Sequence, residues 1–190
     1  AIRERPDDIA GLELLARNEA ALTNFAAAAK AQGHLVALLG AGVSDAQEAT
    51  LAQYLIAAAG GYVSPEAEAA LIRTLELNPK NPLARYFSGL MWAQVGRPDR
   101  GFALWEPLLE EGPPDAPWIA PIRAGIGDLA DLAGITYDLP EAKGPSAEDV
   151  EAAGRMSAED RQAMIEGMVS GLETQLQDKG GAVEDWLKLL

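Results

Sequence analysis

The sequence predicts an all-α fold: a TPR-like solenoid of antiparallel helix pairs with an additional helical segment at the C-terminal end. Three observations carry that expectation. Side chains of matching type recur at a fixed interval of 34 residues in the middle of the chain. Alanine is abundant, aromatics are only 6%, and β-branched residues are few, a composition that favours helix over pleated sheet. Helix start and stop signals fall at the borders that the interval sets.

The tetratricopeptide repeat (TPR) spaces its core as W-x2-L-G-x2-Y in helix A, A-x3-F in helix B and a closing proline. A first unit, about residues 9–42, reads Leu12-x2-Leu15-Ala16-x2-Glu19, then Ala28-x3-Gln32, then Gly40. Glu19 and Gln32 weaken it. A second, about 48–81, reads Leu51-x2-Tyr54-Leu55-x2-Ala58, then Ala67-x3-Leu71, then Pro79. The third, about 82–115, reads Arg85-x2-Ser88-Gly89-x2-Trp92, then Gly101-x3-Trp105, then Pro113. Equivalent positions of the second and third units are 34 apart, while those of the first and second are 39 apart. The surplus fits a longer loop through Gly40, Gly42 and Ser44-Asp45, which does not disturb a stack.

The third unit departs from the pattern. Arg85 and Ser88 stand where large apolar residues are usual, with bulky Tyr86 and Phe87 beside them, so its helix A is expected to rotate. Pro107 lies inside its helix B and should kink it. Elsewhere the punctuation agrees with the register. Gly60-Gly61 ends one helix and Ser64-Pro65-Glu66 opens the next with a cap and a first-turn proline. Gly96 ends the third helix A, and Asn78-Pro79 and Gly112-Pro113-Pro114 stop two B helices. Asp115 is expected to cap an end helix over 116–133, with Trp118, Ile122, Ile126 and Leu129 on one stripe.

These elements make a repeat domain over 1–133. Residues 134–156, rich in Pro, Gly and acid, read as a linker with one short helix capped by Ser146. Residues 157–190 read as a helical pair. Ser157-Ala158-Glu159-Asp160 opens a helix to about residue 178, with Met164, Ile165, Met168, Leu172 and Leu176 at helical spacing. Gly180-Gly181 ends it, and Trp186-x2-Leu189-Leu190 looks like the start of another, truncated helix A.

Charge narrows the function classes. The formal charge is −14 with a pI near 4.4, which repels phosphate backbones and anionic lipid surfaces, so nucleic acid is not an expected partner. Basic or amphipathic polypeptides are. The chain has no cysteine, which excludes disulfides, thiol catalysis and cysteine-ligated metals. There is no apolar run of about 18 residues and no signal peptide at Ala1-Ile2-Arg3-Glu4-Arg5-Pro6. We therefore expect a processed or excised fragment whose membrane anchor, if any, lies outside it.

Longer runs carry a family resemblance. Arg85-Tyr86-Phe87-Ser88-Gly89-Leu90, Gly112-Pro113-Pro114-Asp115-Ala116-Pro117-Trp118, and Gly60-Gly61-Tyr62-Val63-Ser64-Pro65-Glu66-Ala67-Glu68 resemble the periplasmic TPR region of the CcmI (CycH) family of c-type cytochrome biogenesis proteins. Asp160-Arg161-Gln162-Ala163-Met164-Ile165 followed by Gly167-Met168-Val169 is similar to that family's C-terminal segment. The resemblance implies the periplasmic domain of an inner-membrane protein that binds apocytochrome c, through a helical segment, and delivers it to the subunits of the haem-ligation complex. It implies no cofactor and no enzymatic activity, and membrane contact only through an anchor absent from this chain.

In a TPR stack the A helices line the concave face. Their non-core positions are Leu14 and Arg17 in the first unit, Gln53 and Ile56 in the second, and Tyr86, Phe87, Leu90 and Gln94 in the third, and these are the expected peptide contacts. Either Tyr86 or Phe87 could instead fill the core in place of Arg85 and Ser88. Trp92, Trp105 and Trp118 sit at core or stripe positions and read as packing. His34, the single histidine, has no cysteine or carboxylate at metal-ligand spacing. Gly167-x3-Gly171 reads as close soluble packing, because Glu166, Glu173 and Gln residues share its helix. The pairs Asp7-Asp8, Glu110-Glu111 and Glu148-Asp149 lie at helix ends or in the linker, where solvated charge is usual. No nucleophile stands beside a base and there is no phosphate-binding glycine loop. The expected function is a polypeptide-binding module. The alternative is a scaffold in another envelope assembly that uses its convex face or C-terminal helices.

Overall fold

Of the seven helices in the first 140 residues, five begin at a capping side chain or an N-terminal proline that satisfies or spares the free backbone amides, while those starting at Phe25 and Ile119 have neither. All seven are seen in a computed structural model that describes residues 7–140 and 154–179. The helices are α1 (Ile9–Ala21), α2 (Phe25–Leu39), α3 (Asp45–Ala58), α4 (Pro65–Leu77), α5 (Pro82–Gln94), α6 (Pro98–Glu111) and α7 (Ile119–Ala133). A 3-10 turn, Gly40–Gly42, joins α2 to α3. Asp8 Oδ1 accepts from the Gly11 amide, and Ser44 forms a reciprocal capping box with Gln47. Ser64 and Asn81 cap α4 and α5, each with proline at the first turn.

The chain divides into two compact units, residues 1–140 and 141–190. In the first, each helix packs against the one that follows, giving a TPR-like stack of antiparallel pairs with no strand among the described residues. In the second, α8 (Ala158–Lys179) is capped by Ser157, whose Oγ accepts from the Asp160 amide at 3.1 Å. The side chains of its expected apolar stripe, Met164, Ile165, Met168, Leu172 and Leu176, lie outside the described residues. So do Ser146, Gly180-Gly181 and the Trp186 segment.

Two apolar clusters hold the first unit together. One joins Leu51, Ala52 and Ile56 of α3 to Ala67, Ala70 and Leu71 of α4 and Ala84 of α5. The other joins Trp105, Leu108 and Leu109 of α6 to Ile122, Ile126 and Leu129 of α7. Leu90 of α5 packs against both. Within the third unit, Trp105 lies over Gly89: a Cβ built at residue 89 would stand 2.3 Å from the Trp105 Nε1. The indole N–H donates to the Tyr86 carbonyl at 2.9 Å.

Polar side chains tie neighbouring helices together, though the second carboxylate oxygen of buried Glu48 has no partner among the described residues. Buried Gln32 donates to the Gln47 carbonyl at 2.9 Å, tying α2 to α3. Asp45 accepts from Asn78 at 2.8 Å and Asn81 at 2.9 Å. Those two amides, Asn81 first, hold its carboxyl below the usual carboxylate range. Glu48 is 1% exposed on α3 and accepts from Arg73 Nε on α4 at 2.9 Å.

Several expectations are corrected. The end helix starts at Ile119, not 116, with Trp118 rather than Asp115 at its N-cap. Pro117 disfavours helix at Ala116, whose amide closes a turn onto the Pro113 carbonyl instead. Pro107 lies inside α6 as expected, and the helix runs on to Glu111 with Leu108 and Leu109 buried beyond it. Helix α5 keeps its facing, with Ser88 and Gly89 buried where the pattern puts them. Arg85 stays largely covered and pairs with Glu111. Residues 134–140 lie along the first unit: Tyr137 meets Phe102 edge-on at 5.0 Å and Arg123 donates to the Pro140 carbonyl at 2.7 Å. Residues 141–153, the body of the expected linker, lie outside the described residues.

Gly89→Ala drives a methyl into the indole and should cost about 1 to 3 kcal/mol, while Trp105→Ala should cost about 3 to 5 kcal/mol, both read by urea unfolding. Arg73→Ala strands a buried carboxylate. It should lower the unfolding midpoint, and adding Glu48→Met should restore much of the loss; an Arg73→Ala midpoint equal to wild type would show that the pair carries no weight.

Candidate peptide-binding face

The A-type helices are α1, α3, α5 and α7, and their side chains turned away from the B helices are the groups free to meet another polypeptide. On α1, Leu14 is 54% exposed. One turn on, Arg17 is exposed as well. Gln53 on α3 is also exposed.

The other expected contacts are committed within the protein, and here the structure corrects the sequence reading. Ile56 is 3% exposed and belongs to the first apolar cluster, so it cannot serve as a surface contact. Helix spacing put it on the free side of α3, but α5 packs directly against α3 and covers that side. Phe87 and Leu90 are half-buried and pack against the same cluster. Tyr86 is half-buried and stacks on Trp105, with ring centroids 5.7 Å apart and planes 16° apart. Its loss of solvent pushes the phenol pKa up. Both aromatics therefore do core work alongside Ser88, which is itself buried, and neither is a free platform. Gln94 is exposed, but its amide brackets the turn between α3 and α4. Its Nε2 donates to the Gly61 carbonyl at 2.8 Å and its Oε1 accepts from the Val63 amide at 3.0 Å.

The remaining candidates behave as packing or solvated charge. Trp105 is buried, Trp118 packs against the second cluster, and Trp92 lies under the Arg100 guanidinium at 4.4 Å. His34 is a surface residue 3.1 Å from Asp7. No cluster of metal-ligating side chains occurs among the described residues. Glu148 and Asp149 fall outside them. No described helix is long and apolar enough to cross a membrane.

Of the expected contacts, Leu14 and Arg17 on α1 and Gln53 on α3 remain exposed and untied. Comparison with known proteins gives them a context. The whole chain aligns at 34% identity over 194 residues with the cytochrome c-type biogenesis protein CycH of Bradyrhizobium diazoefficiens. The chain is a relative of the CycH cytochrome c-type biogenesis proteins. CycH of Rhizobium meliloti matches 97% of it at 36% identity over 185 residues. In both cases the chain spans about half, 48%, of the curated CycH protein it matches. No protein-family model and no solved structure matches the chain. The resemblance to the CycH family drawn from the repeat motifs is thus met along the full sequence, including the C-terminal segment.

Two substitutions separate core from surface on these helices. Ile56→Ala should cost about 2 to 5 kcal/mol in a denaturant titration, whereas Leu14→Ala should change stability by no more than about 0.5 kcal/mol.

Proposed function

We propose that this chain is the polypeptide-binding TPR domain of a cytochrome c maturation protein, lodged in the periplasm as part of an inner-membrane protein. It holds apocytochrome c, by a helical segment, and passes it to the subunits of the haem-ligation complex. It acts as a chaperone and not as an enzyme, and it needs no cofactor. Residues 1–133 supply the binding surface and residues 157–190 a second helical element. The observation that carries the reading is the helical stack whose A-helix side keeps Leu14, Arg17 and Gln53 free of intramolecular duty, in a chain related to CycH throughout. Exposed apolar area flanked by hydrogen-bonding groups is what a helix-in-groove interaction requires. The charge of −14 disfavours nucleic acid and favours a basic client, accelerating its encounter.

A scaffold role through the other side of the stack is the second reading, favoured by Leu38 on α2 and Ile72 and Leu77 on α4, which are 40%, 50% and 51% exposed.

Calorimetric titration of the chain with apocytochrome c should give saturable 1:1 binding between micromolar and nanomolar. The folded holoprotein, whose helices are packed away, should bind at least tenfold more weakly. Equal affinity for both, or none for either, would remove the chaperone reading. Loss of partner binding on Ile72→Glu with Leu14→Glu silent would favour the scaffold.

A further inference from the structure

Helix α7 is followed by a strap and not at once by another helix. It ends at Gly134, whose φ of 70° turns the chain, and the Ile135 amide donates back to the Ala130 carbonyl at 2.9 Å. Residues 135–140 then run on without helix, turn or bend. Arg123, which donates to the Pro140 carbonyl at 2.7 Å, stands eleven residues before Gly134 on α7, about 16 Å along the helix axis. Six extended residues reach about 20 Å. The strap therefore folds back along α7 as an extended chain.

Its one aromatic side chain is seated on α6. Tyr137 meets the Phe102 ring at 5.0 Å between centroids and 82° between planes. Phe102, Glu106 and Glu110 follow one another on one face of α6 at intervals of four residues. Loss of solvent, then the Glu106 carboxylate, push the Tyr137 phenol pKa up against the pull of Arg123, and Glu110 adds to the rise. The ring thus lies among two acids and one base. Glu106 is half-buried and enters no ion pair among the described residues. The strap supplies it with no cation, since residues 134–140 hold one acid, Asp138, and no base.

The grip on the strap is slight. Ile135 and Tyr137 are half-buried, the side chains of 136 and 138–140 are exposed, and Leu139 is 42% exposed. Between the Ile135 amide and the Pro140 carbonyl it makes no hydrogen bond among the described residues. Helix α7 itself buries Ile122, Ile126, Leu129 and Ala130. A segment with so few buried contacts opens at a small fraction of the free energy that unfolds the helices beneath it.

We infer that residues 134–140 are an internal occupant of a client seat on α6 and α7, displaced by an extended client segment that carries an aromatic side chain with a basic residue beside it. The client's ring takes the place of Tyr137 on Phe102, its main-chain carbonyl accepts from Arg123, and its cation meets Glu106, which the strap leaves without a counter-charge. This rests on the chaperone reading above and adds a second contact, with its chemistry, to the helical one. Occupation by the chain's own segment lowers apparent affinity by the fraction of time the seat is closed. A segment with the better charge match is admitted in preference to others.

The test uses the 190-residue chain, whose lack of cysteine lets one spin label at Leu139→Cys report on the strap. The label should be slow in this parent and with Tyr137→Phe, which keeps the ring, and fast with Tyr137→Ala or Phe102→Ala. In unlabelled chains, Tyr137→Ala should bind apocytochrome c about tenfold more tightly than wild type, and Tyr137→Phe should match wild type. Phe102→Ala opens the strap but removes the seat, and should gain nothing. Adding Glu106→Gln to Tyr137→Ala should take back about threefold at low salt; no loss there would overturn the demand for a basic residue. A label that stays slow with Tyr137→Ala, an open strap with wild-type affinity, or an equal gain with Phe102→Ala would each overturn the inference while wild-type binding leaves the chaperone reading standing. Failure of wild type and Tyr137→Ala alike to bind apocytochrome c would overturn both.

Discussion

The approach of Trp105 to Gly89 governs how the third helix pair closes, and the stack on either side depends on it. With no side chain at residue 89, the indole comes within what would be 2.3 Å of a Cβ and hands its N–H to the Tyr86 carbonyl. That contact brings α6 close to α5 and lets Tyr86 stack on the indole. It also sets Leu90 between two clusters, so that α3, α4, α5, α6 and α7 share packing through one side chain. Interiors at close-packed density transmit such a constraint over several helices, because no void is available to absorb a shift.

Closure of the later units has a consequence for binding. A solenoid exposes only what its neighbours leave uncovered, and here α5 covers α3 while α1 is left open. The aromatic residues that would make the most adhesive surface are consumed by the core of the third unit. Leu14 and Arg17 on α1 and Gln53 on α3 stay exposed.

The buried polar groups add specificity to a core of small and aliphatic side chains. The Glu48 and Arg73 pair joins the two helices of the second unit, and Asp45 with Asn78 and Asn81 pins the start of α3 to the end of that unit and the start of the next. Such contacts can be made in one register only. Gln94 plays the same part at the other end of α5, holding the turn at Gly61 and Val63.

Much of the fold is legible along the chain. Composition, the interval between equivalent residues, and local chemistry such as Ser64-Pro65 or Asn81-Pro82 determine which segments are helical and where they begin, since capping and proline effects act within a turn. The amino-acid order also carries the kinship with CycH. It does not decide which half-apolar positions face outward. Ile56 and Arg17 occupy equivalent places on successive A helices, yet one is buried and the other is free. That difference arises from whether the next unit swings in to cover the helix, a matter of loop length and of large side chains such as Phe87 and Trp105 arriving from far along the chain. Local sequence sets the helices, and long-range packing alone chose the surface they leave exposed.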